Sequence, residues 1–282
     1  MQRGGLGDLQ RVLTNDLPRV ASGVAIEAAT TAVHMAMYPL GLVSEAARTS
    51  RRSDLAGLSP EQRGLVHHGV AAAETPILMV HGIIDNHSIF TLLQRALRRR
   101  GFGTLSSYDY GLLTRDIPAA AALLGEAIEK LAANSGYERV HVIGHSLGGL
   151  IARYYVQRLG GDARVHTLVT LGTPHSGTEL ARPFRTVPLL GQLTPGSSVL
   201  TELAEPAPDC RTRFLVFASD LDHMIRPSSN AILEHPDLSV RNVAVRGVGH
   251  LSLPSNSSVG FTIASALTEL DPFETPETPG PA

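Results

Sequence analysis

The hexapeptide Gly144-His145-Ser146-Leu147-Gly148-Gly149 follows the apolar run Arg139–Ile143 and opens a helix-like stretch from Leu147 to Leu159. A serine between glycines, placed where a strand turns sharply into a helix, reads as a nucleophile elbow. The context constrains the fold because the turn needs a strand before it and a helix after it. It also constrains the chemistry. A serine hydroxyl is a weak nucleophile at neutral pH and needs an adjacent base. The tight turn lifts its oxygen clear of the backbone, and Gly144 and Gly148 leave room that larger side chains would fill.

Length and composition agree with such a domain. The chain has 282 residues, enough for one large α/β domain, and 43% of them are hydrophobic, enough for a substantial core. A formal net charge of −2 gives no basic footprint for nucleic acid. Cys210 is the sole cysteine, so no intramolecular disulfide forms, and its Ala207-Pro208-Asp209 surroundings read as loop rather than as a nucleophile site. No C-x-x-C or H-E-x-x-H spacing points to a metal.

The first 70 residues read as an N-terminal helical extension. Val20 to Ala47 is mainly apolar, with Glu27, Thr31, His34 and Tyr38 on one narrow helical stripe, before Pro39 and Gly41 break it. Glu27 and the late start argue against a cleavable signal peptide, and Glu27, His34 and Pro39 weaken a spanning helix. Two readings stay open: a helix packed on the catalytic domain, or one lying in a membrane interface. Arg48, Arg51 and Arg52 would then reach anionic headgroups, giving peripheral membrane contact through residues 20–52, or else form an ordinary solvated linker. The expected location is accordingly cytoplasmic or peripheral to a membrane.

From Pro76 onward apolar runs alternate with helical patterns. Strands are predicted at Ile77–His81, Thr104–Tyr108, Arg139–Ile143, Val165–Leu171, Arg213–Ala218 and Ser239–Val245. Helices are predicted at Ser88–Arg100, Asp116–Ala133, Leu147–Leu159, Ser229–Glu234 and Ser257–Leu270. This alternation implies an α/β domain over residues 71–270, with a mostly parallel sheet of about six strands and helices on both faces. Gly172 to Arg213 holds no convincing strand, is broken by prolines and stays apolar through its leucines, so an insertion at about 177–210 is expected. Residues 271–282, rich in Pro and Thr, read as a disordered tail.

An elbow serine in this architecture is followed by an acid and then a histidine on loops after later strands. Asp220 and Asp222 both follow the strand at Arg213–Ala218, and His250 follows the strand at Ser239–Val245. Asp222 is preferred, because the acid of this fold commonly precedes an apolar pair and a proline, here Met224-Ile225-Arg226-Pro227. His223 and His81 are expected to lie outside the proton relay, His81 holding its loop. The backbone N–H groups of Leu147 and Ile83 are the candidate donors to a tetrahedral oxyanion.

With these residues in place the chain resembles bacterial lipases and esterases of the α/β-hydrolase superfamily. The resemblance rests on His81-Gly82-Ile83, Gly144-His145-Ser146-Leu147-Gly148-Gly149, Leu171-Gly172-Thr173-Pro174-His175-Ser176-Gly177-Thr178 and Gly247-Val248-Gly249-His250. It spans about residues 75–270. It implies the α/β-hydrolase fold with a small cap insertion, and hydrolysis of carboxylic esters, including lipid esters, through an acyl-enzyme without a cofactor. In that resemblance Ser146, Asp222 and His250 form the triad, and Ile83 and Leu147 serve the oxyanion. Ile84, Leu189, Leu190 and Leu193 would line an acyl pocket, or else complete the core. A thioesterase or acyltransferase would use the same triad, and a silent binding scaffold would lack its assembly.

Overall fold

Uninterrupted apolar runs become strands buried on both sides, and the helical patterns between them supply the covering layers. The computed structural model describes residues 74–268 apart from residue 84, residues 111–113 and residue 115. Its strands are β1 (Ile77–Val80), β2 (Leu105–Tyr108), β3 (Val140–His145), β4 (Val165–Leu171), β5 (Arg213–Ser219) and β6 (Ser239–Val245). Every neighbouring pair is parallel, in the order β2-β1-β3-β4-β5-β6. The main helices are α1 (Thr91–Arg99), α2 (Ile117–Ser135), α3 (Leu147–Arg158) and, after the last strand, Ser257–Thr268.

Alternate residues of each strand feed two separate cores, as a two-residue period requires. Leu78, Val80 and Val142 pack with Ile117 and Leu124 of α2 and with Leu150 of α3. Ile77, Met79 and Ile143 pack on the opposite face with Leu93 and Leu97 of α1 and with Ile263 of the last helix. Burying each such side chain contributes roughly 1.5–3 kcal/mol relative to leaving it in water. A sheet this apolar is stable only between two helical layers.

The path of the chain decides where a ligand can enter. From β1 it moves outward to β2, then returns over β1 to β3 and continues to β6. Right-handed crossovers therefore place α1 on one face and α2 and α3 on the other. The loops leaving β1 and β3 turn to opposite faces, and a crevice opens between them at the carboxyl ends of the strands.

Boundaries shift where capping overrides the apolar period. The helix expected at Ser88–Arg100 starts as a 3-10 turn, His87–Phe90, because the Asn86 side chain accepts from the Ser88 N–H at 2.9 Å. Asp116 caps α2 by accepting from the Ala119 N–H at 3.1 Å, and Gly136, with φ 76°, ends it. The helix expected at Ser229–Glu234 is a single 3-10 turn, Ser228–Ala231. Strand β3 runs two residues beyond the predicted end, straight into the elbow.

Between β4 and β5 the insertion is a 3-10 segment, Glu179–Phe184, and two short helices, α4 (Pro188–Gln192) and α5 (Ser198–Ala204). The closing helix, Ser257–Thr268, is α6. Insertion and body are joined by polar contacts. Gln192 Oε1 accepts from the Ile117 N–H at 2.8 Å, and Asn230 Nδ2 donates to the Gly177 carbonyl at 3.0 Å. The helical extension expected at residues 1–70, the membrane contact through 20–52 and the tail 271–282 lie outside the described residues. Among the described residues no helix is long and apolar enough to cross a membrane.

Candidate active site

The corner after β3 is set by close backbone approach. A Cβ on Gly144 would lie 2.4 Å from the Gly149 Cα, and one on Gly148 would lie 2.3 Å from the Val80 carbonyl oxygen. The two glycines thus serve different contacts: Gly144 clears the turn itself, and Gly148 lets α3 rest on the end of β1. Gly148→Ala should cost about 3 kcal/mol by overpacking against backbone that cannot yield. At this size that corresponds to a Tm lower by roughly 6–12 °C. Gly260→Ala in α6 is the control, since its methyl meets only ordinary van der Waals neighbours, Leu93 Cδ1 at 3.5 Å and Ala96 Cβ at 3.9 Å, and should not lower Tm in the same thermal melt.

Ser146 occupies the corner at φ 53° and ψ −123°. A non-glycine residue there carries strain of order 1–3 kcal/mol, held only because its surroundings over-determine it. Its N–H donates to the Leu171 carbonyl at 2.9 Å, and its carbonyl accepts from the Thr173 hydroxyl at 3.0 Å. The end of β4 therefore grips the serine from the side, while the side chain stays half-buried rather than sealed.

Asp222 and His250 meet at the same end of the sheet. Asp222 Oδ2 is 2.7 Å from His250 Nδ1, and the two residues are 2% and 4% exposed, which leaves water no part in that bond. The other carboxylate oxygen, Oδ1, accepts from the N–H groups of Met224 at 2.8 Å and Ile225 at 3.0 Å. With Nδ1 donating to the carboxylate, Nε2 keeps its lone pair. A Cβ on Gly172 would come within 3.0 Å of both Asp222 Oδ2 and His250 Nδ1, so β4 ends directly beneath this pair. The His250 ring lies 4.8 Å, centroid to centroid, from that of His145, the residue preceding Ser146.

The rival acid does something else. Asp220 is exposed, and its Oδ1 accepts from the Gly247 N–H at 2.8 Å, fixing the loop that carries His250. His223 is exposed and faces Arg226, with Nδ1 3.1 Å from the guanidinium. Histidine 81 holds the loop after β1: Nδ1 is 2.7 Å from the Gly82 carbonyl, Nε2 is 2.9 Å from Asp109 Oδ1, and the ring stacks on Tyr110. Cys210 is half-buried near Asp162, and burial pushes its thiol up to about 11.

The candidate oxyanion donors bracket the serine. Leu147 begins α3, where unpaired N–H groups and the helix dipole favour negative charge. The loop carrying Ile83 approaches from β1, and a Cβ on Gly82 would be 3.2 Å from the Ser146 Cβ. Of the four expected acyl-pocket residues, Ile84 lies outside the described residues. Leu189 and Leu193 are buried in the core shared with α2 and α3, and Leu190 is partly buried against it.

Several polar residues here carry no period that sequence reading could catch. Arg153, buried in α3, donates to the carbonyls of His175 at 3.0 Å and Leu203 at 2.9 Å, tying the insertion to the helix that follows Ser146. Burial, with the nearby Arg158 charge, lowers its guanidinium to about 9. Burial first, and then the Arg153 charge, hold His175 well below the usual histidine range, so its ring is a neutral strut against Thr170 at 3.0 Å. Asp85 and His145, 3.0 Å apart and both buried, form a further carboxylate–imidazole pair beside Asp222–His250 and Asp109–His81.

A family model described as "Domain of unknown function (DUF7379)" matches residues 47–232. Among curated proteins, a triacylglycerol lipase of Pseudomonas fragi is 30% identical over 174 residues, covering 60% of this chain and 55% of that one. Triacylglycerol lipases of Pseudarthrobacter phenanthrenivorans and Burkholderia plantarii are each 29% identical over 118 residues, covering 39% of this chain and 36% and 32% of theirs. The chain thus spans about half or less of the length of these relatives. Among solved structures, a Bacillus licheniformis lipase in mature form gives a TM-score of 0.57 at 16% identity, covering 77% of this chain and 96% of that one. Aspergillus fumigatus lipase B gives 0.59 at 16% identity, covering 76% and 55%. The architecture is that of the α/β-hydrolase fold.

Proposed function

The chain belongs to the family described as domain of unknown function DUF7379, and from that premise we propose that it hydrolyses carboxylic esters through an acyl-enzyme on Ser146. The observation that carries this reading is the buried Asp222–His250 bond of 2.7 Å beside the strained Ser146 corner. Similarity to triacylglycerol lipases supports the choice of ester.

In this mechanism His250 Nε2 takes the Ser146 proton as the oxygen attacks the ester carbonyl. Asp222 keeps the imidazole in the tautomer with Nδ1–H and stabilises the imidazolium that forms. The oxyanion receives the N–H groups of Leu147 and Ile83, each donor being worth about 3 kcal/mol of barrier in sites of this kind. His250 then returns its proton to the alcohol oxygen, which leaves. Water, deprotonated by the same ring, releases the acid and restores the serine. Both halves of the cycle use one base and one oxyanion site.

The leucines of the insertion face the core, so the substrate class rests on the relatives instead: similarity to triacylglycerol lipases favours an uncharged acyl chain. The test is labelling with a fluorophosphonate, followed by turnover of aryl esters of increasing acyl length and of acyl-CoA. Labelling at Ser146 with ester turnover well above that of acyl-CoA is expected. Preference for the thioester would move the assignment to a thioesterase, and an unlabelled protein would remove it.

A further inference from the structure

The pair beside the nucleophile differs from the Asp222–His250 pair in one respect. Among the described residues, the His250 ring meets one acceptor, Asp222 Oδ2 at Nδ1. His145 has an acceptor at each nitrogen: Asp85 Oδ2 is 3.0 Å from Nδ1, and the backbone carbonyl of His250 is 3.2 Å from Nε2. A carbonyl cannot donate, so Nε2 of His145 must carry the proton in that contact. The remaining bond, between Nδ1 and the carboxyl of Asp85, then takes its proton from one side or the other.

We propose that His145 and Asp85 are positioning residues that lock three parts of the site together. The inference rests on the reading of Ser146 and His250 as nucleophile and base, and adds how they are held. Nε2–H fixes the His250 backbone from a ring attached to the residue next to Ser146. Nδ1 fixes Asp85, whose N–H also closes a turn onto the Gly82 carbonyl at 3.4 Å, and that turn carries Ile83. One buried imidazole thus touches the base loop, the oxyanion loop and the nucleophile corner. Gly82 belongs to the same device, since a Cβ there would lie 2.6 Å from Asp85 Oδ2 and 3.3 Å from His145 Nδ1. Tyr110 braces the loop from behind by donating its hydroxyl to the His81 carbonyl at 3.1 Å.

Side chains of graded reach separate this role from simple packing. Glutamine at position 145 reaches as far as Nε2 and can still donate to the His250 carbonyl, whereas asparagine reaches only as far as Nδ1. His145→Asn should lower kcat for a short aryl ester about 100-fold, the loss expected for a base displaced by about 1 Å. Its KM should stay near the wild-type value, and His145→Gln should recover most of the loss. Fluorophosphonate labelling should slow in proportion. In 15N-histidine NMR of the Ser146→Ala protein at neutral pH, Nε2 of His145 should carry a hydrogen, a readout that needs neither turnover nor a folded variant at 145. An unprotonated Nε2, a His145→Asn enzyme with wild-type kcat, or a His145→Gln enzyme as impaired as His145→Asn would each overturn the proposal. Failure of wild-type labelling would instead defeat the triad reading, and with it the role given to His145.

Discussion

Ser146→Ala is expected to lower ester turnover by roughly 10,000-fold or more and to abolish fluorophosphonate labelling, while the protein keeps its fold. The size of the effect follows from the mechanism. Without the hydroxyl no acyl-enzyme forms, and the oxyanion donors can act only on a water that no elbow positions. The fold should survive because the contacts of Ser146 with β4 and Thr173 run through its backbone N–H and carbonyl, which alanine retains. Initial rates on an aryl ester, beside a thermal melt, check both halves. A variant retaining more than a few per cent of the rate would mean that another group attacks the substrate.

Asp222→Asn is the second large effect, a loss of about 10,000-fold in kcat with KM little changed. The amide can present its own N–H to Nδ1, which selects the tautomer with hydrogen on Nε2 and removes the lone pair that the serine proton needs. It also supplies no charge for the imidazolium. Asp220→Asn is the matched comparison. Its amide oxygen can still accept from the Gly247 N–H, so kcat should stay near wild type and only the Tm should shift slightly. Equal losses in the two variants would reassign the acid.

Much of the framework was readable from the chain because continuous apolar runs have few alternatives in an α/β domain. Val165–Leu171 is a strand at the residues expected, and so is the edge strand Ser239–Val245, although Arg241 and Asn242 interrupt its apolar residues. The Ser146 corner was readable because its glycines answer to steric limits that are local. Asp222 and Asp220 were harder to separate, being two residues apart on one loop. What divides them is a contact each makes with a different part of the His250 loop, across more than 25 residues of chain.

The Asp85–His145 pair was not readable at all. Its members are 60 residues apart and meet only because β1 and β3 are neighbours on either side of the crevice. Neither residue stands in a periodic pattern, and His145 occupies the x of the G-x-S-x-G pattern, which the motif leaves unspecified. The leucines of the insertion posed the opposite difficulty. Apolarity alone does not say whether a side chain faces a ligand or a core, and Leu189 and Leu193 face the core, whereas Val187 is 47% exposed.

The positive φ of Ser146 also sets two demands on this position against each other. Judged by backbone comfort alone, glycine is the better occupant, so mutation under selection for thermal stability would drift toward it. Only a demand for the oxygen opposes that drift. A lineage released from its chemistry should therefore betray itself first here, with a more heat-resistant protein and a missing hydroxyl.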